Sequence, residues 1–100
     1  MIRVSPEASA QIDALLSHYE RLERPEAVQN LLAALVETSR RIERAPAAGL
    51  PAPRPYPALG ALGLRWVKEG SYWMAYSADP PLTIISVFYE TANIPKRINS

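Results

Sequence analysis

The apolar positions of this 100-residue chain change period part-way along. Ala8, Ile12, Leu15, Leu16 and Tyr19 recur at helical spacing, with Asp13, Glu20 and Arg21 off the stripe. Ser5 is a capping residue, Pro6 suits a first helical turn, and Glu7 complements the positive helix end, so a helix is predicted from about residue 6 to about residue 22. Pro25 opens a second helix, with an apolar stripe of Val28, Leu31, Leu32, Leu35, Val36 and Ile42. Arg40, Arg41 and Arg44 gather at its end, where cations suit the helix dipole, and Pro46 stops it. A short link makes the two an antiparallel hairpin.

The period then drops to two. Residues 64–67 and 71–77 flank a turn, and "LTIISVFY" (82–89) is rich in β-branched and aromatic types. Asp79-Pro80-Pro81 supplies a second turn, and "IRV" (2–4) reads as a short first strand. The order strand, helix, helix, strand, strand, strand predicts an α+β domain spanning 1–100: an antiparallel sheet with the helical hairpin packed on one face. Between helices and sheet, residues 46–63 hold five prolines and three glycines and are expected to form a stiff crossover on the surface. Residues 90–100 form a polar, basic tail.

The stretch "LRWVKEGSYWMAY" (64–76) determines how the sheet's faces are assigned. Lys68-Glu69-Gly70 suits a three-residue hairpin loop closed by Gly70. That register pairs Trp66 with Tyr72 and Arg65 with Trp73. It places Leu64, Trp66, Tyr72, Met74 and Tyr76 on the core face, and Arg65, Val67, Trp73 and Ala75 on an open one. Arg65 beside Trp73 is then a candidate docking pair, since both types are enriched among interface hot spots.

Composition narrows the chemistry. A net charge of +1 provides no global pull toward nucleic acid or anionic membrane. The absence of cysteine removes thiolate chemistry and cysteine metal sites, and with His18 the sole histidine no metal or other cofactor is expected. The N-terminal stretch lacks a secretion-signal design and no apolar run reaches membrane-spanning length, so a cytoplasmic protein is expected.

The element order, "SPEASAQIDALLSHY", "RxxxxGSYWMAY" and "IISVFYETANIPKRI" together resemble the RelE/ParE superfamily of toxins from type II toxin–antitoxin (plasmid stabilisation) modules. The resemblance covers essentially the whole chain. It implies a toxin held silent in a hetero-oligomer by a cognate, ParD-like antitoxin, which wraps an extended or helical tail around it and covers apolar parts of the helical hairpin. RelE-like members are ribosome-dependent mRNA endoribonucleases, whose phosphate-holding cations and proton donor the chemistry requires. Where they carry two arginines and a C-terminal tyrosine, this chain has Trp73, Glu90 and Lys96. ParE-like members inhibit DNA gyrase by binding, and "VFYETANIPKRI" resembles their last strand and tail, with Asn93 where an acidic residue is usual. The ParE-like branch is favoured. Arg65, Lys68, Trp73, Lys96 and Arg97 are the candidates for contact with target or antitoxin, no catalytic residue is assigned, and direct nucleic-acid binding is not expected. The alternatives are an atypical RelE-like endoribonuclease and a non-toxic partner-binding module.

Overall fold

The computed structural model describes residues 2–53, 59–60 and 63–90. Its elements run β1 (Arg3–Val4), α1 (Pro6–Arg21), α2 (Pro25–Arg44), a 3-10 turn (Pro46–Ala48), β2 (Arg65–Glu69), β3 (Tyr72–Ser77) and β4 (Thr83–Tyr89). The predicted order and both helices are present. The three C-terminal strands form the expected antiparallel meander, but the sheet as a whole is mixed. Its order is β1-β4-β3-β2, and β1 joins β4 in parallel.

Local chemistry ties each helix to its place. Ser5 caps α1 by accepting the Ala8 amide at 3.0 Å, and the same hydroxyl donates to the Ile85 carbonyl at 2.9 Å. One side chain therefore starts the helix and joins it to β4. Glu23, at φ 53°, reverses the chain between the helices. The helical hairpin then packs on one face of the sheet. Ala8, Tyr19, Leu31, Ala34 and Ile42 meet Val67, Tyr72, Met74, Tyr76, Ile84 and Val87.

The hairpin register differs from the expected one. Glu69 pairs with Tyr72, Lys68 with Trp73, Val67 with Met74, Trp66 with Ala75 and Arg65 with Tyr76. The loop is two residues, Gly70-Ser71, with Gly70 at φ +58° in the first central position, where glycine is free to take positive φ. Each β3 residue meets a β2 residue three positions beyond the expected one, and an odd slip turns every side chain of a strand over. Trp66 therefore leaves the helix-side core and Val67 enters it, while Tyr72, Met74 and Tyr76 stay where the alternation put them.

The second face is not open either. Trp66, Trp73, Ala75 and Phe88 form a second core, closed by Leu50, Leu59 and Leu64 from the proline-rich crossover and its end. Trp66 stacks on Phe88 with ring centroids 6.5 Å apart. The crossover thus serves as the sheet's second cover. It also occupies the β2 edge, where Leu50 and Trp66 exchange two backbone hydrogen bonds of 2.7 Å. A further guanidinium bond caps that edge, from Arg41 to the Lys68 carbonyl at 3.1 Å.

One buried polar atom marks a site for stabilisation. Thr38, in the middle of α2, is fully buried and its hydroxyl finds no hydrogen-bond partner among the described residues. Thr38→Val keeps the shape and replaces that hydroxyl with a methyl. It is expected to raise stability by about 1 kcal/mol, read as a higher thermal midpoint. A lower midpoint would mean that the hydroxyl is satisfied.

Candidate functional site

The predicted contact residues are dispersed by the observed register. Arg65 lies across from Tyr76, half-buried, and donates to the Gly49 carbonyl at 3.3 Å. It shares the helix-side face and does not neighbour Trp73. Trp73 is 3% exposed and belongs to the second core, so the expected open-face Arg65–Trp73 pair does not form. The cation opposite Trp73 is Lys68. Its ammonium reaches across β3 to the Glu90 carboxylate at 3.1 Å. Lys96 and Arg97 lie outside the described residues.

A different surface gathers instead, between the helical hairpin and the sheet end carrying the β2–β3 turn. Leu22, Leu32, Val36 and Tyr89 are 54%, 47%, 52% and 40% exposed, an unusual set of large apolar side chains left in water. All four line one groove of about 1240 Å³. Its floor is Tyr19, Tyr72 and the β4 segment Val87–Tyr89, and its walls come from α1 (Gln11, Leu15, His18) and α2 (Ala33, Val36, Arg40). This volume exceeds the usual range of a small-molecule pocket and suits a polypeptide segment.

The α2 stripe already contained the signal for this groove. Val28, Leu31, Leu32, Leu35 and Val36 span a wider arc than one sheet face can cover. Leu31 is fully buried, and Leu32 and Val36 are the excess. Tyr89 could not be found this way, because it ends a strand whose other members alternate into the two cores.

The tyrosines of the groove floor are held to one another. The Tyr19 and Tyr72 hydroxyls lie 2.5 Å apart, and Tyr89 packs edge-on against Tyr72 with centroids 5.7 Å apart. Burial, followed by the hydrogen bond with Tyr19, pushes the Tyr72 phenol above the ordinary tyrosine range. A raised folded-state value favours the neutral phenol in the fold. Its stabilising contribution is therefore complete below the unfolded value, about pH 10, and is lost as pH rises beyond it. Alkaline unfolding should consequently steepen above about pH 10 in the wild type and flatten in Tyr72→Phe. Parallel stability–pH curves would remove Tyr72 as the cause.

At the turn end of the groove, Arg41 binds Glu69 at 2.7 Å, and along its rim Arg24 binds Glu26 at 3.0 Å. Among the described residues no cluster of histidine, aspartate or glutamate could hold a metal ion. No helix among them is long and apolar enough to cross a membrane.

The fold is similar to that of a chain in the solved structure described as the chromosomal ParDE TA system from P. aeruginosa. The TM-score is 0.62 at 19% sequence identity, over 88% of this chain and 92% of that one. At this identity the likeness is one of fold. The sequence itself matches no protein-family model and no curated protein. On this scaffold, the exposed apolar groove lies along the helical hairpin, and the Lys68–Glu90 pair flanks the sheet's second core.

Proposed function

We propose that this chain is the toxin component of a type II toxin–antitoxin module, ParE-like, acting by binding a target and silenced by an antitoxin seated in the groove. The observation that carries this reading is the cluster of Leu22, Leu32, Val36 and Tyr89 around one polypeptide-sized groove on a RelE/ParE-like fold. Exposed apolar side chains are a liability in a free protein and an asset in one that spends its life bound.

The binding mode, rather than a ribonuclease, is supported by the site that an RNA-cleaving relative would need. Glu90 holds the Lys68 ammonium at 3.1 Å, so this cation is matched by a carboxylate instead of facing a phosphate. Trp73, at a position where the resemblance places arginine in RelE-like chains, is packed into the second core. DNA gyrase is the target that the ParE-like resemblance suggests, with Lys96 and Arg97 of the basic tail, and Lys68, as contact candidates.

The test is expression of the chain without its partner, followed by growth, DNA supercoiling and the integrity of ribosome-bound message. Growth arrest with loss of supercoiling and intact message is the expected result. Rapid message cleavage would make it a RelE-like endoribonuclease, and normal growth a partner-binding module without toxicity.

A further inference from the structure

The β2 edge, on the far side of the sheet from β1, carries a polar notch that lies apart from the apolar groove. In an antiparallel ladder, the N–H and C=O of one residue point to the same side, and the side alternates along the strand. Trp66 exchanges both of its backbone bonds with Leu50, so Trp66 faces outward from β2. Lys68, two residues on, faces outward as well, and its carbonyl accepts from Arg41 at 3.1 Å. The Lys68 amide shares that direction. A continued ladder would bring Ala48 opposite Lys68, but there the chain is wound into the 3-10 turn instead. The Lys68 amide has no acceptor among the described residues.

Two guanidinium groups converge on the same place. Arg41 and Arg44 lie one turn apart near the end of α2, and both line the notch with Ala45, Ala48, Gly49 and Lys68. Arg41 is held in position by the Lys68 carbonyl and by the Glu69 carboxylate at 2.7 Å, both through Nη1. Its Nε and Nη2 hydrogens have no acceptor among the described residues, and Arg44 has neither an ion pair nor a side-chain hydrogen bond among them. Glu69 lines the apolar groove and not the notch, and the Lys68 ammonium is taken by Glu90. No carboxylate among the described residues lines the notch. The end of α2 contributes about half a negative charge, which the whole charge of Arg44 outweighs.

We infer that this notch is an oxyanion site that takes a phosphate group, free or carried on a small molecule. A guanidinium presents parallel N–H donors at the spacing of phosphate oxygens, and a backbone amide adds a donor from a third direction. Donors from three directions suit a tetrahedral phosphate better than a planar carboxylate. The notch holds about 340 Å³, which is the scale of a small ligand rather than of a polypeptide segment. Because α2, the 3-10 turn and β2 all border it, a bound phosphate ties the end of the helical hairpin to the sheet. Neither guanidinium, nor the Lys68 amide, belongs to the apolar groove, so the site stands apart from the antitoxin reading.

The test is a titration of the full chain with inorganic phosphate at constant ionic strength, followed by amide NMR. The Lys68 amide and the Arg41 Nε–H are expected to shift saturably at millimolar phosphate, and the thermal midpoint to rise with phosphate but not with chloride. Arg44→Gln removes a side chain that bonds to nothing among the described residues, and is expected to weaken phosphate binding about tenfold. Arg40→Gln makes the same change of charge on α2 but lines the groove, and should leave phosphate binding unchanged. Glycerol phosphate binding more tightly than inorganic phosphate would assign the site to an ester, and weaker binding to the free ion. Equal weakening in the two arginine variants would reduce the effect to overall charge and overturn the site. An unmoved Lys68 amide, or displacement of phosphate by equimolar acetate, would overturn it too.

Discussion

Replacing Leu32 and Val36 together with glutamate is expected to weaken binding of the proposed antitoxin by at least about a hundredfold without unfolding the chain. The two side chains lie one turn apart on α2, 47% and 52% exposed, so neither supports the core. Surface substitutions of this kind typically move stability by about 0.5 kcal/mol or less each. At an interface the same positions would sit in the desolvated centre, where truncating an anchor costs about 2 kcal/mol or more and a buried unpaired carboxylate adds to that. Two such losses correspond to roughly a hundredfold or more in affinity. Titration calorimetry with the co-expressed antitoxin gives the affinity, and thermal melting of the free variant gives the fold. A variant that binds as the wild type does would remove the groove as the antitoxin seat.

The second large effect is on stability and concerns a residue with no side chain. Gly49 follows the 3-10 turn, where the chain leaves the helices to cross the sheet. Its amide donates to the Tyr76 hydroxyl at 3.0 Å, and that hydroxyl donates to the Pro46 carbonyl at 2.7 Å. A Cβ at position 49 would lie 2.8 Å from Cε1 and Cζ of Tyr76 and collide with its hydroxyl oxygen. Tyr76 is 1% exposed and has no room to retreat. Gly49→Ala should therefore cost about 2–3 kcal/mol, through overpacking and the strained hydrogen bonds. In a domain of this size, that is roughly 10–20 °C in thermal midpoint. Adding Tyr76→Phe removes the nearest atom, so the double variant should lose less than the sum of the two single ones. Strict additivity, or an unchanged midpoint in Gly49→Ala, would sink this account.

The helices were legible because their signals are local. Ser5, Pro6, Pro25 and the apolar spacing need no knowledge of the rest of the chain, and both helices fall where those residues place them. The order of elements along the chain and the helix-side positions Tyr72, Met74 and Tyr76 were equally readable, whereas the parallel pairing of β1 with β4 was not. The hairpin register was not. Lys68-Glu69-Gly70 and Gly70-Ser71 are both chemically sound loops. The choice between them depends on a distant feature, the crossover that converts the supposed open face into a second core able to take Trp66, Trp73 and Phe88. Alternation cannot discriminate between faces when both are apolar, and five successive buried residues in β3 are the result. The candidate site was hidden for the same reason: Trp73 and Arg65 drew notice as exposed when they are packed. The groove residues Leu32 and Val36 looked like core.

The pairing of β1 with β4 also bears on how the protein is made. Arg3 meets Thr83, and the Ser5 hydroxyl meets the Ile85 carbonyl, 80 residues further along. Residues made early therefore find their partners only among residues made some 80 positions later, and the helical hairpin must wait with its apolar stripe uncovered until β4 has emerged. Contacts of such long range are slow to close and leave a nascent chain open to capture. A partner already present during synthesis would meet the helices before the sheet does.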